Sequence, residues 1–128
     1  MRVLLDTHSL LWFYLDDPKL SDLAKSIILD SSHVKYVSPA SYWELAIKIQ
    51  KKKYSLTKPF EEAMREAIDL NGFEHLPIEP RHTALLITMD AHHRDPFDRL
   101  IVAQALSEGL SILSADSQLD LYGVTRIW

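Results

Sequence analysis

Short apolar runs in this chain each give way to a polar residue and then to a segment of helical pattern, and that alternation leaves few folds open. Val3-Leu4-Leu5 closes on Asp6. The stretch from Thr7 to Leu15 then reads as a helix, halted by Asp16-Asp17-Pro18. Ser21 is placed to cap a second helix through Ile28, whose Leu23, Ala24, Ile27 and Ile28 share a face. The run Val34–Val37 leads into Ser38-Pro39, a capping serine followed by proline at the first helical position. That helix is expected to reach about Lys53. Pro59 is expected in the first turn of the next helix, which runs to Leu70 and is closed by Asn71-Gly72. A short strand at Phe73–Leu76 and a helix at Arg81–Met89 follow. Asp95-Pro96 repeats the cap-then-proline signal and opens a helix to about Ser107; Gly109 ends it before the run Leu110–Leu113, and Val124–Ile127 reads as a last strand. Strands alternating with helices require crossover connections and hence a mainly parallel central sheet with helices on both faces, a three-layer α/β/α arrangement.

Nothing along the 128 residues reads as a repeat, linker or low-complexity tract, so residues 1–128 are expected to form one domain. An apolar content of 47% suffices for a core. The chain has no cysteine, which removes disulfides, thiolate zinc sites and a cysteine nucleophile from consideration. No segment approaches the roughly 18–20 apolar residues of a membrane span, and Asp6 interrupts the first apolar run too early for a signal peptide. A cytoplasmic protein without membrane contact is the expectation. The net charge of −4 argues against gripping nucleic acid by bulk electrostatics. It leaves open an enzyme acting on phosphates, because bound metal reverses the sign of an acidic pocket.

Four acids stand where this pattern should deliver them to one edge of the sheet. Asp6 ends the first strand and Asp116 follows the run Ile112-Leu113, while Glu44 and Asp98 sit early in helices. Each has an ordinary alternative. Asp6 could cap the following helix, and Glu44 could pair with Lys48 or Lys51 on a helix surface for about 0.2–0.5 kcal/mol. Asp98 could complement a helix dipole, and Asp116 could be a turn residue. None of these alternatives requires the four to share an edge. Carboxylates gathered there repel one another unless a cation holds them. An all-oxygen set of this kind suits Mg²⁺ or Mn²⁺, and such ions promote hydrolysis at phosphorus.

The segments Leu4–Trp12 (LLDTHSLLW), Ser41–Lys48 (SYWELAIK), His92–Leu106 (HHRDPFDRLIVAQAL) and Leu113–Asp116 (LSAD) resemble the PIN domain, and within it the VapC-type toxins of bacterial toxin–antitoxin pairs. The third segment is the most specific, and the resemblance spans essentially the whole chain. It implies a metal-dependent endoribonuclease acting on RNA, with Asp6, Glu44, Asp98 and Asp116 as its acids. Asp98 rather than Asp95 falls at the third acidic position. Asp6 and Asp98 are expected as direct ligands of Mg²⁺ or Mn²⁺, with Glu44 and Asp116 acting partly through coordinated water. Ser114 and Thr7 stand beside the acids as supporting hydroxyls. A homodimer and a cognate antitoxin are the partners the resemblance implies.

Other features carry weaker signals. Arg94 and Arg99 lie within the third segment and are candidates for RNA phosphates, ahead of His92 and His93. Lys48, Lys51, Lys52 and Lys53 could follow RNA, but complementing the dipole at the helix C-terminus is the preferred reading. Trp12, Tyr42 and Trp43 read as packing residues. The apolar positions Tyr42, Leu45 and Ile49 form one stripe and Trp43, Ala46 and Ile47 another, so one face of that helix is expected to be buried and the other open to a partner chain. Two rival classes stand against the nuclease. A phosphoacceptor receiver domain would need an acidic pair after the first strand and a lysine after a late one, and this chain has neither. A catalytically silent PIN-like module binding RNA or protein would keep the fold without turnover, which the full set of four acids disfavours.

Overall fold

The computed structural model describes residues 1–92 and 95–128. Five parallel strands, β1 (Arg2–Leu5), β2 (Val34–Val37), β3 (Glu74–His75), β4 (Ser111–Leu113) and β5 (Arg126–Ile127), lie in the order β3-β2-β1-β4-β5. Between them run α1 (Thr7–Tyr14), α2 (Asp22–Leu29), α3 (Pro39–Gln50), α4 (Phe60–Met64), α5 (Pro80–Thr88) and α6 (Pro96–Glu108).

Side chains on a strand alternate between its faces, and here that alternation divides the core in two. Val3 and Leu5 of β1, with Leu113 of β4, join Leu10 and Leu11 of α1, Ala24, Ile27 and Ile28 of α2 and Leu45 of α3. Leu4 and Ile112 point the other way, toward Ile101, Val102 and Ala105 of α6. The central strands are buried on both faces, which is why they read as unbroken apolar runs. The result is the expected α/β/α sandwich, with a sheet parallel throughout.

The cap signals mark the helix starts faithfully. Ser21 Oγ accepts from the Ala24 amide at 3.1 Å, Ser38 Oγ from Ala40 at 3.1 Å and Asp95 Oδ1 from Phe97 at 2.9 Å. The ends differ from expectation in two places. Helix α3 stops at Gln50 rather than near Lys53, because Lys52 turns left-handed (φ 60°) and the Lys53 amide closes back on the Lys48 carbonyl at 2.9 Å. Pro59 precedes α4 instead of lying in its first turn, and the helix widens into a π segment over Arg65–Asp69. Asn71 Nδ2 donates to the carbonyls of Glu66 and Ala67 there, satisfying groups that the widened turn frees. Ser117–Tyr122 forms a 3₁₀ turn that the apolar pattern did not reveal.

Candidate metal centre

The parallel register sets Leu5 beside both Val37 and Leu113. The next residues, Asp6, Ser38 and Ser114, therefore leave the sheet side by side at its carboxyl edge. Chain connections run one way from β1 through β2 to β3 and the other way from β4 to β5, so the crevice between β1 and β4 is the point where ligands bind in open sheets of this kind.

Asp6 is fixed at that crevice from several sides. Its amide donates to the Leu113 carbonyl at 3.2 Å, and its Oδ1 accepts from the Ser9 amide at 2.8 Å. Ser9 Oγ in turn donates to the Leu113 carbonyl at 2.8 Å, tying the first turn of α1 to β4. The Ser114 hydroxyl accepts from the Asp116 amide at 3.1 Å and bonds to the Asp6 carboxyl. Burial pushes the Asp6 carboxyl above its ordinary value, against the opposing pull of Ser114, Ser9 and His8. Asp6 thus does cap α1, through Oδ1 of a buried carboxylate that Ser114 also holds.

Helices α3 and α6 bring in the remaining acids. Trp43 and Phe97 meet edge to face at 5.1 Å, locking the two helices together near their starts. Glu44, on the second turn of α3, is only 2% exposed. Its Oε2 lies 2.8 Å from Lys48 Nζ, so the pairing anticipated at a helix surface exists but is buried. Carboxylate oxygens of Glu44, Asp95 and Asp98 lie within 4.8 Å of one another. Asp98 also lines a cleft of about 230 Å³ with Asp6, His8, Trp12, Ala115 and Asp116. Asp98 therefore belongs to both groups, and all four expected acids meet around it. Asp95, read from the sequence only as a cap, joins them as a fifth carboxylate.

The supporting residues fall on both sides of expectation. Ser114 contacts Asp6 directly, whereas the buried Thr7 Oγ1 has no hydrogen-bond partner among the described residues. Arg99 Nε is likewise buried without one, and Arg94, with His93, lies outside the described residues. Trp12 packs as expected, against His8 at 5.3 Å and Trp128 at 5.9 Å, yet it also lines the acidic cleft. The sequence reading missed His8; its place two residues after Asp6, in the first turn of a helix leaving the carboxyl edge, was the available signal. Lys48, Lys51 and Lys53 line a second cleft of about 340 Å³ with Glu44, Asp95, Pro96 and Phe97. The second apolar stripe of α3 is open as expected, with Trp43 59% exposed.

A different acidic group, Glu79, His82 and Glu108, has its ligand atoms committed elsewhere. His82 Nδ1 accepts from the Glu79 amide at 3.0 Å, which leaves Nε2 to donate to Glu108 at 2.8 Å, and Arg81 pairs with both glutamates. It is a staple between α5 and α6.

The carboxylates around Asp98 are another matter. Octahedral Mg²⁺ or Mn²⁺ holds oxygens at about 2.0–2.1 Å, so opposite ligands stand roughly 4.2 Å apart, and oxygens of Glu44, Asp95 and Asp98 lie within 4.8 Å of one another. The donor set is all oxygen, and Glu44 Oε1 is buried without a hydrogen-bond partner among the described residues. These residues fit a hard divalent cation.

A parallel α/β/α sheet with carboxylates collected at its switch point defines an α/β protein with a candidate divalent-metal centre. The PIN domain family model matches residues 3–124, and the chain belongs to that family. No curated protein is matched by sequence. Among solved structures, VapBC2 from Rickettsia felis, bound to a DNA fragment from its promoter, is similar at 14% identity and a TM-score of 0.70, over 99% of this chain and 98% of that one. FitAcB from Neisseria gonorrhoeae is similar at 19% identity and 0.67, over 98% and 96%. VapBC-1 from nontypeable Haemophilus influenzae is similar at 16% identity and 0.65, over 99% and 97%. At these identities the likeness is one of fold.

Proposed function

We propose that this protein is a metal-dependent endoribonuclease and the toxin of a toxin–antitoxin pair. The observation that carries the reading is that Asp6, Asp98 and Asp116 line one cleft while Asp98 also lies within 4.8 Å of Glu44 and Asp95, so that Asp98 is common to both acidic groups. Asp6 and Asp98 would hold Mg²⁺ or Mn²⁺ directly, with Glu44 and Asp116 acting partly through water. A divalent ion bound there supplies the Lewis acidity that activates a water nucleophile and offsets charge developing at phosphorus. The chain's own groups do the positioning. Ser114 and the Ser9 amide orient the Asp6 carboxylate, and the Trp43–Phe97 contact sets Glu44 against Asp98. His8 and Trp12 form the wall of the cleft on which a nucleotide would rest.

Support for the toxin role comes from the motif resemblance and from neighbours solved as VapBC and FitAB assemblies. A homodimer, a cognate antitoxin and a cytoplasmic setting belong to the same reading. No helix among the described residues is long and apolar enough to cross a membrane.

The test is cleavage of total cellular RNA by purified protein with Mg²⁺ or Mn²⁺, beside Asp98→Asn prepared identically. Defined fragments from the native protein are expected, lost with chelator and reduced roughly 10²–10³-fold by the substitution, the scale for removing one charge-stabilising group. Equal cleavage by both proteins, or none by either across cellular RNA, would count against the proposal.

A further inference from the structure

Helix α1 carries two aromatic rings one turn apart, His8 and Trp12, and residues four apart on a helix share a face. Both line the cleft that also holds Asp6, Asp98 and Asp116. An indole is a poor neighbour for carboxylates, because its faces carry the negative end of the ring quadrupole and it has a single N–H to donate. Packing against the core accounts for only part of the ring, since Trp12 is half-buried. The same ring borders a second hollow of about 250 Å³, lined with it by Phe13, Pro18, Leu20, Asp16 and Lys25. Asp16 and Lys25 pair with each other there at 3.2 Å. Trp12 is thus the wall common to two hollows, only one of which holds the candidate metal acids.

The ring is set in place by its neighbours. His8 stands 5.3 Å from it with the two planes 35° apart, and Trp128 stands 5.9 Å away at 58°. A 3.2 Å hydrogen bond between His8 Nε2 and the Tyr54 hydroxyl ties this group to the segment that follows α3. Rings ordered before a ligand arrives lose little freedom when it binds. Lys19 is exposed and brings its Nζ over the Trp12 ring, 5.9 Å from the centre. An exposed lysine resting on an indole marks a face that solvent reaches, and its flexible stem can swing aside for a flatter occupant.

We infer that the Trp12 indole is a stacking platform for one unpaired nucleobase beside the phosphodiester at the acidic cleft, and that it confines the substrate to single-stranded RNA. The inference rests on the nuclease reading above and adds the residue that receives a base. Every base has a flat π-face, so an indole takes any of them, and preferences follow stacking strength rather than hydrogen bonding. A base inside a duplex has both faces covered by its neighbours and has none to offer. The platform therefore selects for strand state and only weakly for sequence.

The experiment follows the fluorescence of a protein whose sole tryptophan is Trp12, made by Trp43→Phe and Trp128→Phe. Oligoadenylate is added with Ca²⁺ in place of Mg²⁺ to slow hydrolysis. The single strand should quench the fluorescence, whereas the same strand paired with oligouridylate, or an abasic strand of equal length, should not. In the otherwise native chain, Trp12→Leu should weaken oligoadenylate binding roughly 5- to 100-fold, the span for losing one base–aromatic stack, and Trp12→Phe should keep most of the affinity. Equal quenching by the duplex or the abasic strand overturns the inference, as does a Trp12→Leu protein that binds oligoadenylate as tightly as the native one. If Trp12→Leu fails to fold, the quenching and the Trp12→Phe comparison decide. A protein that cuts cellular RNA but shows no quenching loses the platform and remains a nuclease; one that neither cuts nor binds loses both.

Discussion

Asp6 binds a proton more tightly in the folded chain than in the unfolded one, because burial raises its carboxyl above the ordinary value. A group with a raised folded-state pKa contributes stability that is fully present below its unfolded value and lost as pH rises through the folded one. For the metal-free protein the window opens near 3.8 and extends upward. Asp30, Glu66, Glu108 and Asp120 are shifted the opposite way, so the whole-protein pH profile mixes signs. The difference between Asp6→Asn and the native protein isolates the effect, since asparagine keeps an oxygen to accept from Ser9. With chelator present, the melting temperature of Asp6→Asn should gain on the native protein as pH rises from 4. With saturating Mn²⁺ the order should reverse, because the ion binds the ionised carboxylate. A difference independent of pH would mean that Asp6 titrates normally.

At the scale of elements, the starts of helices were far more legible than their ends. A serine or aspartate cap followed by proline is a local chemical signal, and Ser38-Pro39 and Asp95-Pro96 placed α3 and α6, and so Glu44 and Asp98, correctly. The end of α3 gave no such signal. Helices commonly close on a left-handed glycine, as α6 does at Gly109, but α3 closes on Lys52. A non-glycine residue in that conformation costs roughly 1–2 kcal/mol, partly offset by the entropy that glycine itself would lose. Lys52→Gly should therefore stabilise the protein by about 0.5–1 kcal/mol in urea unfolding. No gain would mean that neighbours relieve the strain at Lys52. The same limit explains Lys48 and Asp95. Their residue types and spacings were plain, but only the crossing of α3 and α6 turns a surface pair and a cap into members of a charged centre.

For the molecule as a whole, a net charge of −4 means that long-range attraction would not deliver the proposed RNA substrate to an acidic crevice. Lys51 and Lys53, both exposed, line the adjoining cleft with Glu44 and Asp95 and are where the proposed RNA would meet positive charge. Lys51→Glu with Lys53→Glu should weaken binding of single-stranded RNA about tenfold and flatten its salt dependence by roughly 0.7 per lysine, with little change in melting temperature. An unchanged salt slope would assign those lysines to the helix terminus alone. The order of the sheet has a further consequence. Its central strand is the first one made, yet its right-hand neighbour, β4, comes from residues 111–113, and Ser114 and Asp116 follow still later. While the chain is being translated, Asp6 must wait without the partner strand and hydroxyl that fix it. The acidic crevice can take its folded form only once β4 and the residues after it have been made.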